Sequence, residues 1–403
     1  MRRSLVVVAL SLVLPAAALA QSNAVPKRPR LDPDIGADTN DARLYHLHGL
    51  AKLSKFPQEA ADAFYWASRL DPAWTDPLYA RRVAVLVHNR WLRSGYLNDE
   101  ARVLESAEMK QLDSLQLQAI SLNPFLAPKL DIELFRASVA GDWTGAERLQ
   151  IESALDDWLR QAGPFTRAWA YFSQGNYPEA IKSYRTALGS AKNPARVRAS
   201  LARAYFLSGD RTRALEEMRL AVRELRDDDK DRLVRVYESK AIYEHAIGLV
   251  HEVSGAIDSA RAAYGRALQE DLAYWPAHRQ LGMLLLSAGD TAGAVAELGQ
   301  AVQLKGDDAG LRYSYGYVLT AANKLDEAVA EFKKAIELAP DYAAPYAFVG
   351  RIYDAAGFAP QAMDYYEAFV VRAPKRDPQL ARTMHRLTVL ASQPDSAKAT
   401  KTP

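Results

Sequence analysis

Few residues in this chain of 403 are spaced for chemistry. There is no cysteine, which removes thiolate nucleophiles, thiolate metal sites, disulfides and a lipidated N-terminal cysteine together. His46 and His48 flank Leu47, but helical residues two apart point about 200° away from each other and cannot share a metal without distortion. The acidic part of the run Arg226 to Asp231 lacks the alternating ligands, glycine and terminal glutamate of a calcium loop, and it reads as a solvated turn. No glycine-rich phosphate loop, nucleophile elbow or His-Glu-x-x-His is present. With no acid, base, nucleophile or metal set assembled, the expectation is a protein that binds and does not catalyse, without a cofactor.

The elements that would position a binding surface are legible in the alanines. Ala60, Ala146, Ala180, Ala214, Ala260, Ala294, Ala328 and Ala362 fall into register when the chain is cut into units of 34 residues. Four units run without a gap from Ala241, Trp275, Ala309 and Ala343. In each, a small residue follows an apolar or aromatic one at the seventh and eighth places: Ile247-Gly248, Leu281-Gly282, Tyr315-Gly316 and Val349-Gly350. A glycine there lets two helices approach closely. The register Ala260, Tyr264, Ala267 recurs as Ala294, Leu298, Ala301, as Ala328, Phe332, Ala335 and as Ala362, Tyr366, Phe369, and steps of four and three residues lie on one helical face. Each unit is therefore expected to be two amphipathic helices that bury their apolar faces by stacking on the next unit.

The fifteenth place reads Gly141, Gly175, Gly209, Gly255, Gly289, Asn323 and Gly357, residues that enter the left-handed conformation ending a helix. Asp210, Asp258, Asp290, Thr291 and Asp326 follow as expected caps of the second helix.

These marks, with the terminal prolines Pro340 and Pro374, resemble the tetratricopeptide repeat. The resemblance is specific over 241–376 and extends to units from Gln161 and Ala195. It also covers one from Asp41, with Leu47, Ala60, Phe64, Ala67 and Pro72, where His48 stands in the place of the small residue. The unit from Ala127 keeps only Gly141 and Ala146 and is degenerate. Between the starts at 195 and 241 the spacing is 46 residues, read as the charged turn followed by a lengthened first helix. Residues 75–126 read as a helical insertion of about two hairpins with the apolar break Leu122-Asn123-Pro124-Phe125-Leu126-Ala127-Pro128 at its end, and 377–392 as a capping helix before a disordered tail at 393–403. The fold class expected is all-α, a right-handed superhelical solenoid of about eight hairpins.

By resemblance to the family, the second, fifth, ninth and twelfth places of each first helix line a concave groove. Here they include Trp169, Phe172, Arg196, Arg203, Phe206, His245, Arg279, Met283, Tyr313, Tyr317, Arg351 and Asp354. Aromatics and arginines dominate binding hot spots, so a protein or peptide partner is expected in this groove. Packing between units is the ordinary alternative for Trp169, Phe172 and Phe206. A glycan stacking on Trp169, Tyr313 and Tyr317 is the alternative ligand. The lysine-and-asparagine pattern with which family members clamp a C-terminal carboxylate is missing. The fifth and ninth places read Phe165/Trp169, Ala199/Arg203, His245/Leu249, Arg279/Met283, Tyr313/Tyr317 and Ala347/Arg351.

Residues 1–20 have the form of a cleavable export signal. Arg2 and Arg3 precede the apolar run Leu5 to Leu14, which is too short to span a membrane, and Ala18-Leu19-Ala20 supplies the small residues of a cleavage site. The mature chain is expected to start near Gln21, with a flexible leader at 21–40, and to be periplasmic or secreted without stable membrane insertion. Without Arg2 and Arg3 the basic residues number 49 against 49 acidic ones. No net field then draws the chain to nucleic acid.

Overall fold

The computed structural model describes residues 25–88, 119–125, 163–231 and 239–392, and the regular structure among them is helical. The export signal, most of the 75–126 insertion, nearly all of the degenerate unit and the tail at 393–403 lie outside the described residues. Helices α1 (Ala42–Lys52) and α2 (Pro57–Leu70) form a first hairpin, followed by α3 (Asp76–His88). Six further hairpins pair α4 (Pro164–Ser173) with α5 (Tyr177–Leu188), α6 (Pro194–Leu207) with α7 (Arg211–Asp231) and α8 (Ala241–Val253) with α9 (Ile257–Glu270). Then come α10 (Trp275–Ser287) with α11 (Thr291–Leu304), α12 (Ala309–Ala321) with α13 (Leu325–Leu338), α14 (Ala343–Ala355) with α15 (Ala359–Arg372), and a single helix α16 (Leu380–Ala391).

The turns inside the hairpins are built from the residues that the period singles out. Gly175, Gly209, Gly255, Gly289 and Gly357 have φ of 75°, 90°, 74°, 84° and 80°, and Asn323 has φ of 58°. This left-handed residue sends the next amide back to a carbonyl in the last helical turn. Asp290 N–H donates to the Leu285 carbonyl at 2.9 Å, with Asp210 on Tyr205 and Lys324 on Leu319 at the same distance. The caps are less uniform than expected. Asp210 and Asp290 accept the amides of Arg213 and Gly293. Thr291 is the first residue of its helix and Asp258 and Asp326 the second of theirs, where the two acids favour the helix dipole without capping.

Three of the hairpins close an aromatic ring onto the glycine at their eighth place. A Cβ built on Gly248, Gly316 or Gly350 would fall 2.3, 2.8 or 2.6 Å from the ring of Tyr264, Phe332 or Tyr366. The first hairpin keeps this lock one place later than the sequence register suggests. Gly49, and not the position of His48, faces the Phe64 ring at 2.6 Å, while His48 is fully buried and bonded to Glu59 at 2.8 Å.

Two other expectations are corrected. The charged run 226–231 is the last part of α7, a helix of 21 residues, so the extra length starts in the second helix of its unit and not as a turn. Arg226 anchors it to Glu270 at 2.8 Å and to the buried Glu244 at 3.2 Å. The leader is also ordered from residue 25. Leu31 is buried, Trp66 Nε1 donates to the Pro26 carbonyl at 3.0 Å, and the Arg28 guanidinium lies 4.7 Å from the Trp66 ring centre.

The first hairpin docks on the other end of the array. Arg69 pairs with Asp341 at 2.7 Å, Arg376 pairs with Asp41, Asn40 donates to the Val371 carbonyl at 2.7 Å, and Lys375 N–H donates to Asp38 at 2.6 Å. The chain thus returns over the loops that join the last repeats. At that end α16 covers α15, with Leu390 buried against Ala359, Ala362 and Tyr366. Both oxygens of Asp354 accept from Arg386 at 2.7 Å, which holds the carboxyl below its ordinary range. Arg386→Ala is expected to cost about 1 kcal/mol, because the pair is only partly buried. The loss should appear as faster amide exchange in α16 with α8 to α11 unchanged, since repeats are stabilised by their neighbours. Unchanged exchange in α16 would count against the clamp.

Candidate functional site

The first helices α4, α6, α8, α10, α12 and α14 carry the expected groove residues, and the structure divides them into covered and open stretches.

The middle is covered by the chain itself. Phe125 is buried, and its ring stacks on Phe206 with centroids 4.2 Å apart and planes 24° from parallel. It fills a slot walled by Ala199, Ala202 and Ala246. One hairpin further along, the Tyr274 hydroxyl donates to the Ser121 carbonyl at 2.7 Å. The same hydroxyl lies 3.3 Å from Nδ1 of His245, so with its proton on Ser121 it receives the imidazole N–H. His245 has no exposed surface, and burial, reinforced by the Arg279 charge, pushes its pKa down to about 3. The imidazole is neutral at neutral pH.

Arg279 is enclosed next. Pro72, Ala73, Leu122, Trp275, Asp308, Gly310 and Leu311 surround it, and the remaining cavity is ≈ 10 Å³, room for one water at most. The backbone of Ala73 is so close that a Cβ on Gly310 would lie 3.1 Å from its nitrogen. Burial lowers the Arg279 pKa and raises that of Asp308, whose charge faces it. Asp308 also caps α12 by accepting the Leu311 amide at 2.8 Å. Arg279, still partly exposed, is thus a wall of the internal contact. Met283 is half-buried beside it on α10. Tyr313 is boxed by Phe332, Tyr342 and Phe348, with ring centres 5.3 to 5.8 Å away, and burial pushes its pKa up to about 12.

Two stretches are open. On α4, Trp169 is half exposed, whereas Phe172 is buried against Tyr177 and the core of its hairpin. On α6, Arg196 is exposed and Arg203 half-buried. At the other end, Tyr317 is exposed and meets the Phe348 ring edge-on at 5.7 Å, while the exposed Arg351 guanidinium lies 4.0 Å from the centre of that ring. Arg351 and Asp354 also line a cleft of about 480 Å³ with Tyr366, Arg382, His385 and Arg386. Asp354 is already bound by Arg386, so the cleft carries a surplus of positive charge. Trp169 and Tyr317, the two exposed aromatics of the expected glycan set, stand four hairpins apart.

Sequence reasoning missed Phe125, Tyr274, Phe348 and Arg382. The signal for the first was available in the apolar stretch Leu122 to Phe125, which proline prevents from continuing a helix and which must find cover elsewhere. His46, read only against metal binding, packs on Phe64 and Trp74 with ring centres 5.3 and 4.7 Å away. Among the described residues no group of three or more His, Asp or Glu converges on a metal position. No described helix is long and apolar enough to cross a membrane.

Comparison with known proteins follows the same lines. A comparison with curated proteins finds no match. The solved structure of YrrB, described as a TPR protein with an unusual peptide-binding site, is 21% identical and covers 51% of this chain and 100% of its own, with a TM-score of 0.42. The C-terminal part of a TPR repeat-containing protein from Cytophaga hutchinsonii is 16% identical, covers 59% and 100%, and has a TM-score of 0.44. PilF of Pseudomonas aeruginosa is 17% identical, covers 57% and 98%, and has a TM-score of 0.43. The family model for the tetratricopeptide repeat matches residues 165–229, 245–309 and 279–343, so the hairpins of this stretch, from α4 to α13, are tetratricopeptide repeats.

Proposed function

We propose that this repeat array is a non-catalytic scaffold or adaptor of the bacterial cell envelope that binds a segment of a partner protein on its groove face. The observation that carries the reading is the way this face holds protein already. It takes residues 121–125 by an aromatic stack on Phe206 and a tyrosine hydroxyl on a backbone carbonyl, the two contacts a peptide groove needs. Of the two open stretches, the one assigned to the partner is the end formed by Tyr317, Phe348, Arg351 and Arg382. A rigid aromatic platform beside guanidinium groups suits a segment with an apolar side chain next to a carboxylate. The envelope location rests on the form of residues 1–20.

The reading is tested by cross-linking in envelopes followed by mass spectrometry, comparing the wild type with a Tyr317→Ala, Arg351→Glu, Arg382→Glu variant. All three side chains are at the surface or line the open cleft, so the variant is expected to keep the wild-type circular dichroism spectrum. One specific partner should be lost from the variant, with the rest of the cross-link pattern kept. Identical partners for both proteins would overturn the assignment of this end as the binding surface.

A further inference from the structure

The stretch of groove now holding residues 121–125 has the properties of a ligand site, and we infer that its partner is an uncharged protein segment with the pattern Leu-x-Pro-Phe, for which the chain's own Leu122-Asn123-Pro124-Phe125 is the resident copy. The inference rests on the groove reading above and adds the partner's chemistry.

The receiving wall is shaped for one ring. Ala199, Ala202 and Ala246 leave the space between α6 and α8 that Phe125 fills, and Phe206 supplies the flat face on which it stacks. On the next first helix, α10, Trp275 and Arg279 line the same small cavity as Leu122. Beside these two anchors the Ser121 carbonyl accepts from the Tyr274 hydroxyl at 2.7 Å with His245 next to it, a backbone contact of the kind by which a groove holds a peptide.

The bound segment is also shaped in advance. Asn123 Oδ1 accepts the Phe125 amide at 3.0 Å, and the Asn123 amide donates to the Ala119 carbonyl at 3.0 Å, so an Asn-Pro turn sets the angle between the two anchors. Any segment with that turn loses little entropy on binding. Residues 119–125 carry no charge, and the wall beneath them answers with a neutral imidazole and with an arginine whose charge is already faced by Asp308. A charged segment would lose its hydration there without gaining a partner.

The copy in the same chain holds its site at a high effective concentration, so a free peptide meets a mostly occupied groove. The test uses the whole chain and a fluorescent peptide of residues 119–125, capped at both ends. A Leu122→Ser, Phe125→Ala variant, which empties both anchors, should bind the peptide at least tenfold more tightly than the wild type. Adding Phe206→Ala should abolish that gain. A folded variant that binds no better than the wild type overturns the inference. Should the variant not fold, hydrogen exchange on the wild type decides. Amides of 119–125 exchanging faster than those of α8 and α10 support a displaceable segment, and exchange only through global unfolding overturns it. Wild-type dimers that the peptide disperses would assign the site to a second copy of this chain and overturn a separate partner. Loss of a cross-linked partner at Tyr317 and Arg351 without peptide exchange would leave the scaffold reading standing and this inference alone refuted.

Discussion

Replacing Gly248 with alanine is expected to destabilise the α8 and α9 hairpin by about 2 to 3 kcal/mol. The new methyl would lie 2.3 Å from Cε1 of Tyr264, closer than real side-chain contacts allow. The ring cannot retreat. Tyr264 is fully buried, and its hydroxyl donates to Glu252 at 2.6 Å. The array contains its own control at the same place in the next repeat, where the methyl of Gly282→Ala would meet Cγ of Leu298 at 3.0 Å. Leu298 is buried too, and the methyl would also meet the Ala294 carbonyl at 3.3 Å, but these contacts need shift by only a few tenths of an ångström and alanine is the better helix former by about 0.8 to 1 kcal/mol, so Gly282→Ala is expected to cost less than about 1 kcal/mol. A Gly248→Ala, Tyr264→Leu double variant should recover part of the loss, because it copies the tolerant pair. Amide exchange within each hairpin is the measurement, since repeat arrays open locally and one global transition would blur the two sites. Equal costs at Gly248 and Gly282 would show that the ring contact is not what demands glycine.

What the sequence discloses and what it conceals follow from the range of the interactions. The hairpins were legible because their determinants are local and periodic. Gly289 ends a helix by its own φ, and Gly316 meets Phe332 only 16 residues away within one unit. The groove residues were legible as positions but not as surfaces. Arg279, at the fifth place of its helix, and Tyr317, at the ninth of the next, were both read as groove positions, yet one lies against Ala73 and Leu122 while the other is exposed. That difference is imposed by segments some 150 residues or more distant in sequence, which carry no period to announce where they dock. Asp354 was read as a groove contact for the same reason, its partner Arg386 lying 32 residues on in the capping helix. The charged run at 226–231 shows a different limit. Its aspartates favour turns over helix interiors, and the helix is chosen against that local preference by Glu244 and Glu270, which hold Arg226.

Acid is expected to loosen the covered stretch through His245. The imidazole titrates near 6.5 when unfolded and is pushed down to about 3 in the fold, so between those values the unfolded chain binds the extra proton. Stability therefore rises with pH across that window and falls as the solution is acidified from about 6.5 toward 3. At about 1.4 kcal/mol per pH unit, the loss attributable to this one group is about 2 to 3 kcal/mol at pH 4.5. The groups facing it from its neighbours are Arg279, Tyr264, Tyr274 and the Ser121 backbone, and none can supply a negative charge to the imidazolium at that pH. Other groups titrate in the same range. Asp71 and Asp308, raised by burial, and His278, raised by Glu297 against its burial, all contribute with the opposite sign, while His251 contributes with the same sign. They are common to the wild type and a His245→Phe variant, and they cancel in the difference between the two. The wild type should lose about 2 to 3 kcal/mol more than the variant between pH 7 and pH 4.5. Denaturant titrations read by amide exchange in α8 would measure it. Parallel loss in both proteins would mean that His245 gains its proton in the folded chain as easily as in the unfolded one, and that the cover of residues 121–125 does not exclude water from it.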